Sequence, residues 1–428
     1  MKNILFSLAA VFVLIAVSGA ANCLYAENQV IGDIKIVGNE KTRTDVILTE
    51  MMMKSGDPYD ELIRLEIQHR IMNLQYFMFV NVKAEPASDS NKVNLTITVK
   101  ERQTWGIYPI LTFSSNTKDE YGLEATENNL VGTGNALTAS LRLQDNFQSI
   151  SASFYDRHVK NSNFTFGAGG YKSTDNVVWL NTWENDVDIW SVYLQTGYWF
   201  TYELRGTLGF STRDAEYTGV NTTVVPLFGV TNKVYLTLQY YNVDYTLYAY
   251  QGPSVYLTYQ KGQENLDDKF SSVTDDYSFS KTFFGATYYW NATKDHIFRI
   301  SLNGGTGSDL PWYDLFSVGG NGSVRGYPGG TMGGEKYLQS TLEYRIPVIV
   351  NKQAMGMNYT LTVLGFADMG YAWVDTKDFG DAIIGAGLGA RLYIHNWQTG
   401  TVALDIANGF DDAMGGDLNF YLSFGAIY

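Results

Sequence analysis

Few side chains in this sequence could carry covalent or metal chemistry, and their spacing argues against it. The four histidines, His69, His158, His296 and His395, are scattered with no metal-spaced pair, so each reads as a surface or lumen residue and no metal ligand is expected. A single cysteine, Cys23, excludes a disulfide framework. Gly385-Ala386-Gly387-Leu388-Gly389-Ala390 comes close to a dinucleotide fingerprint, but that motif needs a strand-to-helix junction and here it sits inside an alternating strand. No catalytic residue, no cofactor and no enzyme activity are expected. The side chain that stands out is Arg325, within "SVGGNGSVRGYPGGTMGGE". Glycine at this density permits tight and left-handed turns that other residues enter only at a cost. An arginine there either lies in solvent or turns inward, where it needs an acceptor such as a carboxylate with two oxygens to match its fork.

The segments that would have to position Arg325 read as strands. Leu137, Ala139, Leu141 and Leu143 oppose Thr138, Ser140, Arg142 and Gln144, and Phe298, Ile300 and Leu302 oppose Arg299, Ser301 and Asn303. Leu338, Leu342, Tyr344, Ile346 and Val348 oppose Gln339, Thr341, Glu343 and Arg345, which places Glu343 on an inner face. In the last residues Phe420, Leu422, Phe424, Ala426 and Tyr428 oppose Asn419, Tyr421, Ser423 and Gly425, with Ile427 the one misfit. About 16 such segments follow Thr104, in line with the even strand numbers of bacterial barrels. The expected fold is an all-β transmembrane barrel of about 16 antiparallel strands, apolar outside and polar inside. By parity the loop with Arg325, about Ser308 to Lys336, joins the eleventh and twelfth strands on the outer side. Alternation is weakest over Thr174–Asp188 and Thr246–Asp276.

Composition fits: 31 Tyr, 23 Phe, 9 Trp and 42 Gly suit aromatic girdles and tight lumen packing, while a net charge of −14 argues against nucleic acid as a partner of the whole chain. Residues 1–26 read as a signal peptide, with Lys2, an apolar stretch Ile4 to Val17 too short to span a bilayer, and small residues after it. Cleavage after Ala20 or Ala26 both fit; Ala26 is favoured because ordered structure is expected from about Gln29, and Cys23 then leaves with the signal. A lipid-modified Cys23 is the less favoured alternative, since Ala21 and Asn22 make a poor approach to such a site.

Residues 27–101 have another texture. Ile34 and Ile36 alternate with Asp33, Lys35 and Val37 up to Gly38. Thr42 with Asp45 is expected to cap a helix burying Ile47, Leu48, Met51 and Met52, stopped by Gly56 and Pro58. A second helix opens at Asp60 and Glu61 and buries Ile63, Ile67, Ile71 and Leu74. Strands over Phe79–Ala84 and Val93–Val99 close the unit, giving a β-α-α-β-β order ahead of a barrel over 102–428.

With that order and the stretches "IKIVGNEKT", "MKSGDPYDE" and "LQYFMFVNVKAE", the unit resembles a polypeptide-transport-associated (POTRA) domain. The string VRGY, then "YLQSTLEYRIPV", "GFADMGYAWVD", a glycine-rich penultimate region and an aromatic end resemble the surface-antigen barrel family of outer-membrane insertases and translocators. The resemblance implies the outer membrane, with the POTRA domain in the periplasm and the lipid bilayer around the barrel. It implies that Val324, Arg325, Gly326 and Tyr327 fold back into the lumen and that Arg325 meets Asp368 of Phe366-Ala367-Asp368-Met369-Gly370, with Glu343 a second inward acid. It implies that Phe420, Leu422, Phe424 and Tyr428 form a C-terminal assembly signal read by the host barrel-assembly machinery, with periplasmic chaperones. The expected function is insertion or translocation of unfolded β-rich polypeptide clients, by strand addition on the POTRA domain and opening of a seam between Trp105–Phe113 and Phe420–Tyr428. The alternative is a passive outer-membrane pore or a structural surface protein that keeps the fold without insertase activity.

Overall fold

The computed structural model describes residues 29–424 except 89–90, 113–119, 145–146, 180–182, 219–228, 267–276, 292, 294–295, 312–313, 375–381 and 399. The signal segment with Cys23, the seam residue Phe113, Gly425, Ala426, Ile427 and Tyr428, and most of the acidic Glu264–Asp276 connection lie outside the described residues.

The first unit runs β1 (Val30–Val37), α1 (Thr44–Met51), α2 (Glu61–Asn73), β2 (Phe77–Pro86) and β3 (Lys92–Glu101). Its sheet order is β1-β3-β2, with β1 parallel and β2 antiparallel to the central strand. Alternation on β3 buries Val93, Leu95, Ile97 and Val99 against Ile47, Ile67 and Ile71 of the helices. Truncating any of these isoleucines to alanine should cost about 2–5 kcal/mol. The Asp60 carboxylate caps α2 by accepting the Ile63 N–H at 2.8 Å. Two local expectations fail in α1. The residue at its N-cap is Arg43, without a side-chain cap, because the Thr42 hydroxyl accepts from Asn129 Nδ2 at 2.8 Å instead. Its buried residues are Val46, Ile47, Glu50 and Met51; Leu48 is exposed and Met52, left-handed at the C-cap, is half-buried.

Sixteen antiparallel strands follow and close into a barrel. They are β4 (Trp105–Thr112), β5 (Glu120–Glu127), β6 (Ala136–Gln144), β7 (Phe147–Asp156), β8 (Phe164–Trp179) and β9 (Trp183–Trp199). Next come β10 (Leu204–Thr218), β11 (Gly229–Tyr241), β12 (Ala249–Leu266), β13 (Tyr277–Asn291) and β14 (Ile297–Ser308). The last five are β15 (Lys336–Ala354), β16 (Met357–Trp373), β17 (Ile383–Ile394), β18 (Thr401–Gly409) and β19 (Leu418–Phe424). Each strand pairs with the next, and β19 returns beside β4 to form the seam. The glycine run from Gly385 to Ala390 lies within β17.

Alternation sorts the faces. Leu194, Leu236, Ile300, Leu342 and Leu388 point out and stay exposed, a band of apolar surface that water would not tolerate and hydrocarbon does. Trp105, Phe164, Phe200 and Trp290 stand exposed at the strand ends nearest the first unit, where an aromatic girdle belongs. Inward residues of β15 alternate oppositely, so Thr341, Glu343 and Arg345 are buried.

The first unit sits on the barrel turns nearest the chain's entry into β4. Its Lys41 pairs with Glu127 at 2.6 Å, the Tyr76 hydroxyl donates to the Gly134 carbonyl at 3.2 Å, and Asn73 Oδ1 accepts the Tyr245 N–H at 2.9 Å. The linker continues this contact, since Arg102 Nε donates to the Gln75 carbonyl at 2.6 Å and Gln103 bridges to Trp397.

Candidate functional site in the barrel lumen

The loop between β14 and β15 begins and ends as a ribbon in which Phe316–Val318 pairs with Met332–Gly334. From there the chain turns back into the lumen, and Val318, Val324 and Tyr327 become fully buried against Ala372 and Ile383. Burial of these apolar side chains carries Arg325 with them, away from solvent. Two glycines make the close approach possible. Gly326 has φ +94°, and a Cβ there would collide with the Gly409 backbone; a Cβ on Gly370 would strike the Val324 side chain.

Arg325 is 5% exposed, so each of its donors needs a partner. Nε and Nη2 donate to the two oxygens of Asp368 at 2.7 and 3.0 Å, the two-pronged geometry, and the Arg325 backbone N–H adds a third bond to that carboxylate at 3.2 Å. Nη2 also reaches Glu343 at 3.2 Å and Nη1 reaches Asp405 at 3.1 Å. The guanidinium lies 3.4 Å from the centroid of the Phe366 ring, a cation–π contact on its flat face. Further guanidiniums share two of the acids: Arg345 binds Glu343 at 2.6 Å, Arg299 lies 3.3 Å from it, and Arg391 binds Asp405 at 2.6 Å. Asp368 differs. Among the described residues its only ion-pair partner is Arg325.

The structure thus brings together Val324, Arg325, Gly326, Tyr327, Phe366, Asp368, Gly370 and Glu343. Phe420 is on the outer face, with Leu422 and Phe424 half-buried, and Tyr428 is outside the described residues. Asp405 and Tyr421 were missed. Both were findable in principle, because Asp405 falls on the same side of its alternating strand as Ala403 and Ala407, and Tyr421 is the inward neighbour of Phe420.

A second cluster of buried charge joins the first unit to the barrel and was not foreseen. Glu50 of α1 is 1% exposed and accepts from Arg157 at 2.7 and 2.9 Å and lies 3.2 Å from His158 Nε2. Burial pushes the Glu50 carboxyl up, but Arg157 and His158 outweigh it and hold it below the usual carboxylate range. Arg157 lies over the Trp199 ring and His158 stacks on it. The histidines are therefore not all surface or lumen residues: His158 belongs to this interface. His395 is buried in the turn after β17, where burial and the charge of Arg102 push its pKa down to about 4.

A sixteen-stranded barrel with an outer loop docked by arginine on an inner-wall aspartate, preceded by a β-α-α-β-β domain, is the build of an outer-membrane barrel with a POTRA domain. The chain belongs to the Omp85 superfamily: the model of the Omp85 superfamily domain matches residues 129–427, and that of the surface antigen variable number repeat, a POTRA model, matches 29–102. It is a cell outer-membrane protein with its POTRA domain in the periplasm. It is 23% identical over 397 residues to the outer membrane protein assembly factor BamA of Nitratidesulfovibrio vulgaris, covering 82% of this chain and 44% of that protein. With BamA of Neisseria meningitidis serogroup B it shares 25% identity over 397 residues, 82% of this chain and 47% of that one. The chain spans about half the length of these curated relatives. Among solved structures, CdiB from Escherichia coli matches with TM-score 0.61 and 14% identity, over 92% of this chain and 76% of that one. BamA from Haemophilus ducreyi lacking POTRA domains 1–3 matches with TM-score 0.55 and 16% identity, over 92% and 84%. These two likenesses are of fold.

Proposed function

We propose that this protein works in the insertion or translocation of β-rich polypeptides at the outer membrane. The observation that carries the reading is the docked loop, a buried arginine held by three carboxylates on the wall that leads to the seam. The names of the relatives point the same way. A client segment would add to an edge of the POTRA sheet, where β1 and β2 are the outer strands, and would then meet the seam between β4 and β19. The chain itself would reach the membrane through the host's barrel-assembly machinery and periplasmic chaperones, with the Phe420, Leu422 and Phe424 strand as address.

Purified protein in liposomes should accelerate folding of an unfolded barrel client, and Arg325→Ala should remove most of the effect. Steady ion conductance with client folding unchanged would favour the passive pore.

A further inference from the structure

The tip of the loop touches more than the wall that carries Asp368. The Gly326 N–H donates to the Tyr421 hydroxyl on β19 at 3.0 Å, and the Gly326 carbonyl accepts the Asp417 N–H at the entry to that strand, also at 3.0 Å. Tyr421 is buried and stands directly across from Asp405 on β18, the third acid that holds Arg325. The next residue of the tip extends the grip. The Tyr327 hydroxyl donates to the Ile384 carbonyl at 2.9 Å and accepts the N–H groups of Phe410 and Asp411, at 3.0 and 3.1 Å, in the turn that joins β18 to β19.

We propose that Arg325, Gly326 and Tyr327 form a clamp on the last hairpin of the barrel, so that docking of an outer loop inside the lumen holds the closing strand β19 in place. Two features make the clamp specific to this hairpin. The backbone groups of Gly326 are spent on Tyr421 of β19 and on Asp417, the residue that leads into it, and the left-handed turn at Gly326 is what aims them there. Arg325 supplies the anchorage and Tyr421 is a positioning residue for the strand. The tip's hydrogen bonds add to the ladder that Leu418–Phe424 shares with Val402–Asn408 of β18, so this strand is held from inside as well as along its edge. Undocking the tip would loosen β19 first and leave the β15–β16 wall intact. The coupling stands whether or not the seam serves a client.

Amide hydrogen exchange on the full protein in lipid nanodiscs tests this. Tyr421→Phe keeps the ring and removes the acceptor for Gly326; exchange over Leu418–Phe424 should rise about fivefold, the factor that one ordinary hydrogen bond represents, with β14 to β16 unchanged. Tyr327→Phe should loosen Gly409–Asp417 and β19 in the same selective way, and it serves if the first variant fails to fold. Exchange in β19 that stays at the wild-type rate in the folded variants, or that rises equally over all strands, would overturn the clamp.

Discussion

Two buried charge clusters hold this molecule together, and they are built on opposite plans. In the lumen, Arg325 is one member of a network in which Glu343 also meets Arg345 and Arg299 and Asp405 also meets Arg391, while among the described residues Asp368 has Arg325 alone. At the POTRA interface a single carboxylate, Glu50, is met by Arg157, whose side chain is 30% exposed, and by His158. A shared network spreads the loss of one partner, except at the member that has no second one. A single carboxylate facing a half-wet arginine concentrates the loss but lets water relieve the cation. The lumen cluster should therefore fix a conformation, and the interface cluster should allow the two domains to part at moderate cost.

The largest effect should come from Arg325→Ala, which leaves Asp368 buried without its cation and should destabilise the barrel by about 3–5 kcal/mol. The loss of heat resistance on gels measures it. Glu343→Gln should distribute its damage over Arg299, Arg325 and Arg345, and an effect confined to the loop would contradict the network. At the interface, Glu50→Gln should cost less, about 1–3 kcal/mol, and should free the POTRA domain without touching the barrel. Faster proteolysis in the linker around Gln103 with unchanged barrel heat resistance is the expected pattern.

The pH dependence sharpens the same contrast. The folded Glu50 carboxyl titrates below its ordinary value, so its contribution is fully present above about pH 4.3 and is lost as pH falls through the lower, folded value. Docking followed by linker proteolysis should hold from neutrality down to that point and fail only in stronger acid. The smallest effect belongs to His69, which is half-exposed and 3.3 Å from Asp244. A hydrogen bond to Asp244 raises its pKa, so the pair contributes below about pH 6.5 and is lost as pH rises through the folded value. His69→Gln should change docking by roughly 0–1 kcal/mol, with the difference fullest below about pH 6.5 and fading as pH rises through the raised folded value.

The sequence made these regions unequally legible. Period-two alternation, as in Leu137–Gln144 or Leu338–Val348, is a backbone property and sorts lipid face from lumen without tertiary knowledge. The residues alone left Arg325 open between solvent and lumen; its pairing with Asp368, 43 positions away, was implied by the family resemblance that VRGY and GFADMGYAWVD carry. Asp405 could not be paired with Arg325 in advance, since 80 positions separate them and only barrel closure brings them together. Glu50 looks like any helix glutamate; its partner is 107 positions away on a turn of the other domain. The failed cap at Thr42 has the same origin, a hydroxyl taken by Asn129 of the barrel instead of its own helix. Exposed Leu48 shows that the helix pattern gave the stripe but misplaced its edge.

The pairing of Arg325 with Asp368 is the centre of this account, and a double-mutant cycle on barrel heat resistance measures it directly. Arg325→Ala and Asp368→Ala should each be strongly destabilising, and the double variant should be little worse than either, because each single change already forfeits the shared bonds. Effects that simply add would contradict the docked arginine.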